Sequence, residues 1–256
     1  AKAMNVKGLM NVQFAIKDKK IFVIEVNPRA SRTIPFVSKS IGISVAKIAV
    51  KCMLGISIKK QKLPRKIKHK FYFVKEVVFP FLKFPGVDPI LGPEMKSTGE
   101  VMGIGKNFGE AFAKSQISTN VVIPENGTAF ISVKNEDKKY IIDVAKKLLK
   151  FNFSLVATHG TQEFLIKNNI ECKRVNKVRE GRTHIVDMIK NNEIDLIVNT
   201  TQTKQAIKDS YLIRREALQY KVCYTTTIAG ANALVGAVSY SKNLDVYKLQ
   251  DIFKLA

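Results

Sequence analysis

Gln13, Glu25, Asn27, Arg29 and Arg32 are the residues whose types and spacing could do chemistry. Glu25 and Asn27 are two apart, so on a strand their side chains leave the same face. Two apolar, β-branched runs, residues 10–16 and 21–26, flank Lys17-Asp-Lys-Lys20, which has the length and polarity of a tight turn between antiparallel strands. Pairing across a turn centred on Asp18 and Lys19 is expected to set Gln13 opposite Glu25, bringing one carboxylate and two amides together. Such an oxygen set suits a hard cation such as Mg²⁺, which takes few protein ligands and fills its octahedron with water and phosphate. Pro28 ends the second strand, and Arg29 and Arg32 follow in one loop, where guanidinium forks can grip phosphate oxygens. The plain alternative is a solvated hairpin whose arginines pair with surface acids.

The elements that must position these residues lie in a chain of 256 residues, 46% hydrophobic and 9% aromatic, which is a globular composition with room for one large or two ordinary domains. No apolar run reaches the roughly 18 residues of a membrane span. The first residues lack the apolar core of a secretion signal, and the expectation is a cytoplasmic piece of something longer, with no membrane partner. Cys52, Cys172 and Cys223 are far apart and without a C-x-x-C pair, so they are read as reduced thiols. The net charge of +22 raises nucleic-acid binding, but only eight of the 43 basic residues are arginine. Lysines at single positions along expected helices, such as Lys138, Lys139, Lys146, Lys147 and Lys150, read as a solvated surface, and no nucleic-acid partner is expected. The dense basic run over residues 59–70 has Pro64 in its middle and reads as an exposed connecting loop.

After the hairpin, Ile41, Val45, Ile48, Ala49 and Cys52 fall at helical spacing, predicting a helix over 41–54 that Gly55 ends and that packs beneath the strands. Residues 71–81 read as a strand containing Glu76. Pro80, Pro85, Pro89 and Pro93 with Gly86 and Gly92 then exclude regular structure until about Gly99. Met102-Gly-Ile-Gly-Lys-Asn-Phe-Gly109 has the look of a phosphate loop but no matching strand–helix unit, and is read as a turn into a short helix over 108–114.

A domain boundary is expected within 117–121, giving units of 1–120 and 121–256. Beyond it, strands at 128–133, 154–157, 171–175, 195–198 and 221–225 alternate with helices at 137–150, 162–168, 183–191, 206–219 and 229–238. That pattern is α/β, a doubly wound parallel sheet of five strands, whose ligands bind off the carboxyl ends. Ser132 ends the first strand, Thr158-His-Gly-Thr161 follows the second, Asn176-Lys177 the third and Asn199-Thr-Thr201 the fourth. Hydroxyls, a glycine, a helix start and a lysine on one sheet edge make an anion site. Each motif alone could be a simple cap, and His159, without partner carboxylates, reads as structural.

The run from Glu25-Val-Asn-Pro-Arg29-Ala-Ser-Arg32, with Gln13 before it, resembles the end of an ATP-grasp domain in the large-subunit family of carbamoyl-phosphate synthases. The resemblance continues through Val74-Lys-Glu-Val-Val-Phe-Pro-Phe, the segment from Phe84-Pro-Gly-Val to Val101-Met-Gly, and Ala157-Thr-His-Gly-Thr161. It implies an α+β end of the carbamate-phosphorylating half, followed by a methylglyoxal synthase-like regulatory domain. It further implies ATP held by Gln13 and Glu25, Mg²⁺ or Mn²⁺ on Gln13, Glu25 and Asn27, a site for K⁺, and Arg29 and Arg32 as catalytic. The implied partners are the remainder of the large subunit, a small glutaminase subunit and a nucleotide monophosphate effector. Ser132, Lys138, Thr158, Thr161, Lys177, Asn199 and Thr201 carry over as effector contacts, and Glu76, Tyr224 and Thr226 as contacts for ornithine, with Thr225 standing where an acid is found in other members. The enzyme of the same fold uses aspartates for proton transfer; Arg182 and the threonines of Asn199-Thr-Thr201 stand in their place, so a freestanding lyase is disfavoured.

Overall fold

The computed structural model describes residues 1–64, 67, 70–81, 86–90, 99–178, 180–201, 204–242 and 244–253. These form two compact units: Ala1–Phe71 with Val246–Ala256, and Tyr72–Asp245.

In the first unit, β1 (Asn11–Lys17) and β2 (Lys20–Asn27) form the expected antiparallel hairpin. Asp18 and Lys19, at φ +49° and +62°, are both left-handed, as a two-residue type I′ turn requires. A regular hairpin on that turn would pair Gln13 with Ile24 and send Glu25 to the other face. A β-bulge between Gln13 and Phe14 restores the pair: Phe14 faces Val23, Gln13 faces Glu25, and Ile24 is the extra residue. The expected helix over 41–54 is instead two, α1 (Thr33–Ile41) and α2 (Val45–Met53), parted by Gly42 at φ +69°. Pro35 is compatible with α1 because the first amides of a helix have no partner to lose. Ser44 caps α2 by accepting from the Lys47 amide. The expected packing of this helix beneath the strands is not found: Phe14, Ile16, Ile21, Phe22, Val23 and Ile24 are exposed, on both faces of the hairpin. Within the basic run, Ile58–Gln61 is a 3-10 turn, and residues 65, 66, 68 and 69 lie outside the described residues.

In the second unit, β3 (Tyr72–Val78) pairs antiparallel with β4 (Gly99–Gly105). The segment read as a turn is therefore largely strand, and α3 (Phe108–Ser118) is longer than expected. The glycines of β4 serve packing. A Cβ on Gly103 would lie 1.9 Å from the Ala111 carbonyl oxygen, and one on Gly105 2.5 Å from the Ala111 nitrogen, so only glycine lets α3 lie this close to the strand. Of the proline-rich stretch, residues 82–85 and 91–98 lie outside the described residues, and 86–90 has no regular structure.

The remaining strands are β5 (Gly127–Ser132), β6 (Phe153–Ala157), β7 (Lys173–Arg174), β8 (Leu196–Asn199) and β9 (Cys223–Thr225). They form one parallel sheet in the order β7-β6-β5-β8-β9, the five-stranded α/β sheet expected. Between them run α4 (Lys138–Lys150), α5 (His159–Lys167), α6 (Ile185–Lys190), α7 (Lys204–Asp209) and α8 (Tyr211–Gln219), and α9 (Ile228–Ala237) follows the last strand. Strand alternation sorts the core into two layers. Ala129 and Ile131 join Ile141, Val144 and Leu148 of α4 and Leu234 and Val235 of α9, while Phe130, Val156 and Ile197 join Ile185 and Ile189 of α6 and Ile213 and Ala217 of α8. α10 (Leu249–Ile252) follows near the end of the chain.

The compact units part at residues 71 and 72 rather than at the expected 120 and 121. The reason is α3, which packs on α9. Asn107 donates to the Tyr240 hydroxyl at 2.9 Å, a Cβ on Gly109 would sit 2.3 Å from the Gly236 carbonyl oxygen, and Ala113 lies in the core of the parallel sheet.

Candidate functional site

The strand order reverses around β5, with β6 on one side and β8 on the other, and the crevice of a doubly wound sheet opens at such a point. Ser132, Thr158 and Asn199 follow one another across this edge. Ser132 is in register with Asn199 of β8, and its hydroxyl lies 3.1 Å from that of Thr158. Thr158 is the N-cap of α5 yet makes no side-chain cap bond, its hydroxyl being turned to Ser132. Two further threonines brace the loops: Thr161 Oγ1 accepts from the Val133 amide at 3.2 Å, and Thr200 Oγ1 from the Lys134 amide at 3.1 Å. A hydroxyl that accepts in this way keeps its proton to donate elsewhere.

A cavity of about 620 Å³ opens over these residues. All seven residues expected to contact an effector, Ser132, Lys138, Thr158, Thr161, Lys177, Asn199 and Thr201, line it. Among the described residues the lining holds four lysines, Lys138 and Lys177 of that set with Lys134 and Lys208, against the one carboxylate of Glu180. Lys138 reaches to the start of α5, its Nζ 3.6 Å from where a Gly160 Cβ would be. The backbone amides and dipole at that helix start favour the same sign of ligand charge as the lysines do. Lys134 pairs with Glu136 at 3.1 Å, and that hydrogen bond raises its pKa above the ordinary lysine value.

Asn199 is 3% exposed, and its Nδ2 has no hydrogen-bond partner among the described residues. A buried donor left unpaired costs about 1–3 kcal/mol, which an acceptor on a bound molecule recovers. The cavity thus offers ammonium groups, hydroxyls and amide donors, the complement of a small, oxygen-rich anion.

Lys134 and Lys208 were not singled out in the sequence, and Thr200 was named there only as part of the Asn199-Thr-Thr201 motif and not as an effector contact. The pattern of strand ends pointed to Thr200, but Lys208 comes from the following helical segment, which no strand-end rule selects. His159 is exposed, its Nε2 3.5 Å from Glu163, and His184 caps α6 in a reciprocal box with Asp187. Arg182 is exposed.

The residues expected to contact ornithine, Glu76, Tyr224 and Thr226, do not line the strand-end cavity. Glu76 accepts from Gln116 of α3 at 2.8 Å, and Thr226 is exposed. Tyr224 packs in the layer with α6 and α8, where burial pushes its hydroxyl up to about 12; the Arg214 guanidinium pulls it down and the Asp88 carboxylate pushes it up.

On the hairpin, Asn27 Nδ2 donates to Glu25 Oε1 at 2.9 Å, which locks the two side chains together on one face. Glu25 Oε2 and Asn27 Oδ1, with the Gln13 amide on the paired strand, remain as oxygen donors, a set that fits a hard divalent cation. Arg29 and Arg32 follow at the start of α1, Arg29 donating to the neighbouring Ala30 carbonyl at 3.0 Å.

Comparison with known proteins matches residues 1–61 to the family described as carbamoyl-phosphate synthase L chain, ATP binding domain, and residues 140–226 to the MGS-like domain. The chain is 55% identical over 249 residues to the carbamoyl phosphate synthase large chain of Pseudomonas syringae pv. tomato, covering 97% of this chain and 23% of that one. To the large chain of Xanthomonas axonopodis pv. citri it is 52% identical over 259 residues, covering 99% and 24%. It therefore spans about a quarter of the length of the curated relatives it matches. A solved methylglyoxal synthase from Elizabethkingia anophelis NUHP1 covers 49% of this chain and 90% of its own, at 18% identity and a TM-score of 0.37, a likeness too slight to bear on function.

Proposed function

We propose that this chain, a relative of carbamoyl phosphate synthase large chains over nearly its whole length, is the C-terminal part of such a chain and joins the end of a carbamate-phosphorylating ATP site to a regulatory domain. The observation that carries the regulatory half is the cavity. Among the described residues, four lysines, hydroxyls from three strand ends and an unpartnered buried amide converge on it, and no pair of carboxylates lines it for acid–base work. A nucleotide monophosphate meets that inventory. Its phosphate belongs at the start of α5 with Lys138 and Thr161, and its remaining acceptors toward Asn199 and Thr201.

In the ATP half, Gln13, Glu25 and Asn27 would hold Mg²⁺, which neutralises and orients the phosphates of ATP. Arg29 and Arg32 face charge on the transferred phosphoryl group. The hairpin supports the further reading that the rest of a large chain covers it, since a two-stranded hairpin is marginal in water and this one bares apolar side chains on both faces. A small glutaminase subunit and a cytoplasmic setting belong to the same reading.

Calorimetry on the 256-residue chain tests the regulatory assignment. Uridine or inosine monophosphate should bind, and Lys177→Ala should weaken binding by about 1.5–3 kcal/mol, the usual worth of a hydrogen bond to a charged group. Absence of heat with both nucleotides, or equal affinity in the variant, means the cavity serves another purpose.

A further inference from the structure

We propose that α8 couples the strand-end cavity to the segment around Asp88, so that a nucleotide in the cavity and the docking of that segment favour one another. The inference rests on the nucleotide reading of the cavity and adds the route by which occupancy is felt elsewhere.

One helical turn carries both duties. Ser210, the N-cap of α8, and Leu212 and Ile213 line the cavity. Tyr211 and Arg214, interleaved with them, hold the other partner. The Tyr211 hydroxyl donates to the Gly86 carbonyl at 3.0 Å, and Arg214 makes a bidentate pair with Asp88, Nε to Oδ1 at 2.8 Å and Nη2 to Oδ2 at 2.5 Å. Arg214 Nη2 also donates to the Ile207 carbonyl at 2.8 Å, tying the pair to the helical segment just before α8. Asp88 is organised in turn, its Oδ1 accepting from the Ile90 amide at 3.1 Å.

Breaking this contact is costly on the Arg214 side. Arg214 is 2% exposed, and a buried guanidinium that loses its carboxylate keeps only the Ile207 carbonyl, a larger cost than the loss of a surface pair, although the Asp88 side chain is 31% exposed. Loss of the pair therefore disturbs the turn that carries Ser210, Leu212 and Ile213. Coupling of this kind is reciprocal: whatever docking adds to nucleotide affinity, the nucleotide adds to docking.

The test uses the full 256-residue chain with inosine monophosphate as probe. Asp88→Asn should bind the nucleotide about 5- to 50-fold more weakly, within the usual span of a coupling between sites. Saturating nucleotide should slow hydrogen exchange at the Ile90 amide by a similar factor in the unsubstituted chain. Should Asp88→Asn fail to fold, Tyr211→Phe, which loses only the bond to the Gly86 carbonyl, carries the same expectation at about 2- to 5-fold. Unchanged affinity in a folded variant, or Ile90 exchange indifferent to nucleotide, overturns the coupling and leaves the nucleotide site standing. No binding by the unsubstituted chain overturns the nucleotide reading and the coupling together.

Discussion

Glu25 is the one carboxylate of the hairpin trio, and Asn27 already holds one of its oxygens. Replacing it leaves neutral ligands only, so in a large chain that contains these residues Glu25→Gln should abolish formation of ATP from ADP and carbamoyl phosphate. Bicarbonate-dependent ATP hydrolysis in the other half of that chain should continue; a normal back-reaction in the variant would remove Glu25 from the site. The cysteines give a second prediction at this scale. Burial pushes the thiols of Cys172 and Cys223 up to about 12, whereas Cys52 is a half-buried residue whose sulfur lies 3.3 Å from the Gln61 amide. Thiolate is the reactive form, so iodoacetamide at pH 8 should label Cys52 in the folded chain and reach the other two only on unfolding. Mass spectrometry of the peptides reads the order directly.

Elements were legible where periodicity was strong. Most strands and helices after residue 121 come from runs such as residues 128–133 and 137–150, whose apolar spacing has one solution, and so the edge that gathers Ser132, Thr158 and Asn199 was legible with them, whereas the single helix expected over 206–219 is two, α7 and α8. Features set by packing rather than periodicity were not. The bulge at Ile24, without which Gln13 and Glu25 point apart, has no local signature, and Gly103 and Gly105 read as turn residues because their need to be small arises only when α3, which follows directly, folds back against the strand. The Arg214–Asp88 pair joins residues 126 apart, beyond any spacing rule. Two predictions belong here. Gly103→Ala would force a Cβ against the Ala111 carbonyl oxygen and should cost about 3 kcal/mol or more, lowering Tm by about 2–4 °C per kcal/mol. Deleting Ile24 should straighten the hairpin yet leave Phe14 opposite Val23 and Gln13 opposite Glu25, so Mn²⁺-induced broadening of the Glu25 and Asn27 NMR signals should survive the deletion if those residues bind the cation.

For the molecule as a whole, the question is what each unit does with its charge. The chain carries a net +22, and in the second unit part of it is concentrated where, among the described residues, four lysines line the cavity at the reversal of strand order, Lys138 reaching the start of α5. Lysines dispersed over a helix surface present no one place to an anion, whereas lysines lining one cavity add their potentials on whatever anion enters it. An oxygen-rich anion with a phosphate at one end and neutral acceptors at the other satisfies both the lysines and the buried Asn199 amide. A crystal structure of the chain at saturating inosine monophosphate tests this most directly. The account predicts the phosphate within hydrogen-bond distance of Thr161 and Lys138, with an acceptor of the nucleotide on Asn199 Nδ2; a nucleotide bound anywhere else, or a strand-end cavity left empty, would contradict it.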